Sequence, residues 1–73
     1  MNIKEAEKMA RKLSHGFPLY CICENERIYI FTYGDEDEDS NFPVIVDKKK
    51  NKIITEDYFD LPSEMIEGLK YVE

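Results

Sequence analysis

Between residues 3 and 14 the apolar positions recur at helical spacing. Ala6, Met9, Ala10 and Leu13 fall at i, i+3, i+4 and i+7 of one stripe, while Lys4, Glu7, Lys8, Arg11 and Lys12 take the remaining face. Asn2 stands where an N-cap belongs, with Glu5 three residues on, and Gly16 follows as a terminator. The spacing predicts one amphipathic helix. Phe17-Pro18 then imposes an extended exit, because proline restricts the residue before it.

Beyond proline the period changes to two. Leu19 to Glu24 reads as a strand, Asn25-Glu26 as a tight connection, and Arg27 to Tyr33 as a second strand in which Ile28, Ile30 and Thr32 alternate with Tyr29, Phe31 and Tyr33. Aromatic side chains therefore share one face and β-branched ones the other. Phe42 to Asp47 reads as a third strand and Ile53-Ile54-Thr55 as a short fourth, joined by the polar turn Lys48-Lys49-Lys50-Asn51-Lys52. Lysines at such a turn solvate it and guard a sheet edge. Tyr58-Phe59-Asp60-Leu61 is an apolar connection. Pro62-Ser63-Glu64 looks like a helix start, after which Met65, Ile66 and Leu69 would face the sheet, with Gly68 limiting the helix.

The predicted order is α-β-β-β-β-α in a single domain spanning residues 1–73. Short connections favour a four-stranded antiparallel meander, with the N- and C-terminal helices together on one face, an α+β sandwich whose other face is partly open. Apolar content of 42% is too high for a disordered chain, yet 73 residues support only a modest core. No apolar run approaches the ~18 residues of a membrane span, and the N-terminus is charged and amphipathic, unlike a signal peptide. A cytoplasmic location is expected.

Charge is unevenly spread. Residues 1 to 33 carry five basic and four acidic side chains, net +1, whereas residues 34 to 73 carry five basic and twelve acidic ones, net −7, which together make the total of −6. The concentration peaks at Asp35, Glu36, Asp37, Glu38 and Asp39, on the connection between the second and third strands. Such a run repels itself, so it is either solvated or met by cations. An acidic surface disfavours nucleic acid and anionic membranes, both of which need cationic groups, and suits a basic protein partner. The run also has a plainer use in keeping a small protein soluble. Tyr29, Tyr33, Tyr58 and Phe59 are candidate anchors for a partner, since aromatics supply apolar area at interfaces. Core packing is the competing fate of the two strand tyrosines.

Site chemistry of other kinds finds little support. Cys21 and Cys23 would share a strand face with Cα atoms about 6.5 to 7 Å apart, at or beyond disulfide reach, so two free packed thiols are expected. With His15 they would offer zinc three ligands, but no fourth stands at a recognisable spacing. The single histidine has no nucleophile pattern around it, and only Gly16, Gly34 and Gly68 are present to build a phosphate loop. Asp35, Asp37, Asp39 and Asn41 alternate as in the first half of an EF-hand loop. Ser40 and Val46 then occupy the positions that require glycine and glutamate. The expectation is a protein without catalytic residues, cofactor or metal.

The segments Glu5-Ala6-Glu7-Lys8-Met9-Ala10, Tyr29-Ile30-Phe31-Thr32-Tyr33, Pro43-Val44-Ile45-Val46-Asp47-Lys48 and Pro62-Ser63-Glu64-Met65-Ile66-Glu67 resemble the small YrhB-like proteins of the immunity protein 35 family. The lysine-rich turn without glycine and the acidic run both depart from that family's pattern. The resemblance implies a cytoplasmic bacterial protein that binds another protein, neutralising a toxin or acting like a chaperone. Together with the charge, the functional expectation is an acidic immunity protein or phage-type inhibitor directed at a basic target protein, nucleic-acid-handling proteins included. The alternative is a small structural or regulatory subunit that forms a homodimer through its open sheet face.

Overall fold

The computed structural model describes residues 1–34 and 41–72. Helix α1 runs Ile3–Arg11, and the Glu5 amide donates to Asn2 Oδ1 at 2.9 Å, the cap expected from the sequence. It buries Ala6 and Ala10 completely. Two small residues on the inner stripe let the helix lie close to the sheet, while Glu7 and Arg11 pair at 2.6 Å on the outer side. Leu13 follows the end of the helix and is 42% exposed, so it does not belong to the buried stripe.

The sheet has five antiparallel strands rather than four. They are β1 (Leu19–Glu24), β2 (Ile28–Tyr33), β3 (Phe42–Asp47), β4 (Lys52–Ile54) and β5 (Lys70–Val72), in the spatial order β4-β3-β2-β1-β5. The fifth strand arises because Gly68, at φ 73°, turns the chain back after the short helix α2 (Ser63–Ile66) and lays Tyr71 opposite Cys23 on the outer edge of β1. A 3-10 turn, Tyr58–Asp60, leads into α2. Three residues are too few to show a period, which is why β5 leaves no mark in the sequence.

Register fixes what each face holds. Tyr29, Phe31 and Tyr33 of β2 stand beside Val46, Val44 and Phe42 of β3, and these pack beneath α1. Ile28, Ile30 and Ile45 point the other way, toward Leu61, Met65, Ile66 and Leu69 of the C-terminal segment. The two helices therefore cover opposite faces, not one. Helix α1 lies across β2, β3 and β4 and occupies the aromatic face. The isoleucine face would otherwise be left to water, and the C-terminal segment supplies its only cover among the described residues.

One side chain holds that cover in place. Asn25, in the β1–β2 turn, accepts from the amides of Arg27 and Ile28, both at 2.8 Å, and its Nδ2 donates to the carbonyls of Met65 at 2.7 Å and Glu67 at 3.0 Å. The same amide thus shapes the hairpin and clamps the end of α2. Asn25→Asp keeps the acceptor but sets a carboxylate oxygen against two carbonyls. It is expected to lower stability by about 1–3 kcal/mol, whereas Leu13→Asp should stay within about 0.5 kcal/mol. Equal denaturant midpoints for Asn25→Asp and the parent would remove the clamp from this account.

Candidate functional site

The C-terminal cover is too short to close its face. Between the 3-10 turn, Leu69 and β5 it leaves an open groove of about 530 Å³, whose floor is Cys21, Cys23, Ile30, Thr32 and Pro43 and whose walls are Tyr58, Phe59, Leu69 and Tyr71. Phe59 is 90% exposed and Tyr71 80% exposed. Phe59 stacks edge-on against Tyr58 at 5.6 Å between ring centres, while Tyr71, the strand partner of Cys23, rises from the same side of the sheet. Among the described residues Asp57 is the one charged residue lining the groove. Its carboxylate accepts the Phe59 amide at 3.2 Å and so fixes the turn that presents the ring.

The expected partner residues separate into three groups. Phe59 is on the surface and Tyr58 is half-buried, both at the groove. Tyr29 and Tyr33, by contrast, are 5% and 2% exposed beneath α1 and are members of the core, so neither ring offers a surface to a partner. Asp35, Glu36, Asp37, Glu38 and Asp39, with the EF-hand-like alternation, lie outside the described residues. The described residues on either side of it, Gly34 and Asn41, stand in contact, since a Cβ added to Gly34, at φ 148°, would overlap Asn41. Thr32 and Pro43, paired across β2 and β3, are on the groove floor.

Sequence reasoning missed Tyr71, Leu69 and Pro43 as groove residues, because their grouping depends on a strand too short to be seen. The two cysteines are free and share a face, as the alternation indicates, but they are half-buried on the groove rather than sealed in the core. His15 cannot join them. It adopts φ 54° after α1 and packs on Phe42, 6.1 Å between ring centres, with the aromatic cluster on the α1 side.

Beside the β1–β2 turn lies a second opening of about 700 Å³, lined by Glu24, Glu26, Glu64 and Glu67 together with Arg27, Lys48 and Lys70. Its charges largely cancel. Lys48, expected in a solvated turn, instead folds back to Glu24 Oε2 at 2.8 Å and to the Asn25 carbonyl at 2.6 Å, with its ammonium 4.4 Å from the Tyr29 ring centre. The hydrogen bond from Lys48 holds the Glu24 carboxyl below its ordinary range. Burial pushes the Tyr29 and Tyr33 phenols up, helped by Glu24 and Glu7 respectively.

Comparison with protein-family models, with curated proteins and with solved structures finds no match.

Two outcomes follow from these side chains. The Tyr33 hydroxyl is buried with no hydrogen-bond partner among the described residues, so Tyr33→Phe should leave stability unchanged or raise it by up to about 1 kcal/mol, read as a denaturant midpoint. A drop would reveal a partner for that hydroxyl. The depressed Glu24 carboxyl gives stability that is present above its unfolded value near 4.3 and lost as pH falls through the lower folded value, so Glu24→Gln should flatten the acid limb of the stability profile. The raised phenols act at the other limit. Their contribution is complete below about pH 10 and is lost as pH rises through the folded values.

Proposed function

We propose that this chain is a non-enzymatic, protein-binding protein that engages a basic target, in the manner of an immunity protein or a phage-type inhibitor. The observation that carries the reading is the apolar groove flanked by two outward aromatic rings, Phe59 and Tyr71. Exposed aromatics around an apolar depression are how protein interfaces concentrate their binding energy. Charge supports the same reading, because among the described residues the groove lining contains one carboxylate and no cation, and the chain as a whole is acidic. In this reading Asp35 to Asp39 attract the target over a distance and the groove retains it. The resemblance to the immunity protein 35 family points to a cytoplasmic setting and a toxin as target.

The same open face favours a second reading. Strand β5 is an exposed edge and Tyr71 projects from it, so two copies pairing there would cover each other's grooves and form a regulatory or structural homodimer. Sedimentation of the purified chain at micromolar concentration separates the two, a monomer being expected for the inhibitor. With a captured target, neutralising Asp35 to Asp39 as Asn or Gln should slow association and weaken its salt dependence. Phe59→Ala and Tyr71→Ala should instead speed dissociation, each by about 30-fold if the ring is an anchor worth about 2 kcal/mol. Unchanged kinetics in all three variants would exclude both the run and the groove from binding.

A further inference from the structure

The groove floor holds two thiols, of which Cys23 also packs against the Ile28, Ile30 and Ile45 core. Cys21 pairs with Thr32 and Cys23 with Ile30, positions two apart on β2, so the thiols rise from the same side of β1. Both are free, both are half-buried, and both line the same open groove. Burial, together with the neighbouring Cys21 thiol, pushes the Cys23 thiol up. Alternate residues of a strand are about 6.5 to 7 Å apart at Cα with parallel Cβ directions. That separation is at the limit for a disulfide, which prefers about 5.5 to 6 Å with the Cβ atoms turned toward one another. A bridge one atom longer, sulfur–metal–sulfur, relieves the constraint.

Coordination number then selects the metal. Zinc in a structural site takes four ligands, and among the described residues Asp57 is the one carboxylate on the same groove and no group of three or more His, Cys, Asp or Glu side chains able to hold a metal is found. A soft monovalent ion with a filled d shell is satisfied by two thiolates in line, and thiolate is the ligand type such ions prefer. We propose that Cys21 and Cys23 form a two-coordinate site for a soft monovalent cation, Cu(I) being the physiological member of the class. Binding forms two Cu–S bonds and releases two thiol protons to solvent, with no change in the oxidation state of copper or sulfur. The complex carries one net negative charge, which the open groove leaves in contact with water. Among the described residues Asp57, Tyr58 and Tyr71 are the other titratable groups on the groove. The site is independent of the protein-binding proposal, and an occupied site would change the floor that a partner meets.

The test uses the full reduced chain under nitrogen, titrated with Cu(I) against a chromophoric Cu(I) chelator, with zinc in a parallel titration. One Cu(I) per chain is expected to leave the chelator, with no zinc retained and the chain still monomeric by sedimentation. Cys21→Ser and Cys23→Ser should each abolish the one-to-one complex while keeping the parent circular dichroism. Should either variant fail to fold, the parent chain still decides the matter, because one equivalent of Cu(I) must block alkylation of both thiols together. The proposal is overturned by any of three results: no transfer from the chelator, one copper shared between two chains, or copper retained by either single variant or with a freely alkylated thiol.

Discussion

Strand β2 lies at the centre of the sheet with apolar side chains on both of its faces, and that constraint organises the rest of the molecule. Tyr29, Phe31 and Tyr33 must be covered on one side, Ile28 and Ile30 on the other. A single helix meets the first demand. Among the described residues the second is met by a 3-10 turn, one turn of helix and a three-residue strand, which leave part of the face open. The open groove is the remainder.

Holding so short a cover requires a specific bond rather than area alone. Asn25 uses both amide hydrogens on α2 and its carbonyl on its own hairpin, so the turn that starts β2 also fastens the segment that shields β2. Asp47 plays a related local part at the other hairpin, accepting the amides of Lys49 and Lys50 at 2.8 and 3.0 Å, while Asn51 takes φ 53° to close the turn. The lysine-rich turn is thus shaped by its buried aspartate, and Lys48 is drawn out of it toward Glu24.

Much of the fold was legible where short-range pattern carries the information. Asn2 and the Ala6–Ala10 stripe announced α1, and the alternation of Tyr29, Phe31 and Tyr33 with Ile28 and Ile30 sorted the faces of β2. What the pattern could not tell is which remote segment covers which face. Parity groups residues on a face but does not say whether Met65 and Ile66 share it with Ala10, and the answer depends on the turn at Gly68 and the clamp from Asn25. The candidate site was legible only in part for the same reason. Phe59 stood out as an aromatic in a connection, but Tyr71 became a groove residue only through β5, and Tyr29 and Tyr33 were claimed by the core because their face is the one that α1 covers.

The central claim is that the face opposite α1 is open in the folded chain, with Cys21 and Cys23 on its floor. Alkylation of the native protein by iodoacetamide, followed by mass spectrometry across a range of reagent concentrations, tests this directly. The account predicts that both thiols react without prior unfolding, at rates that rise in proportion to reagent. Reaction of both thiols only at the global unfolding rate, independent of reagent concentration, would mean that the face is closed and would contradict it.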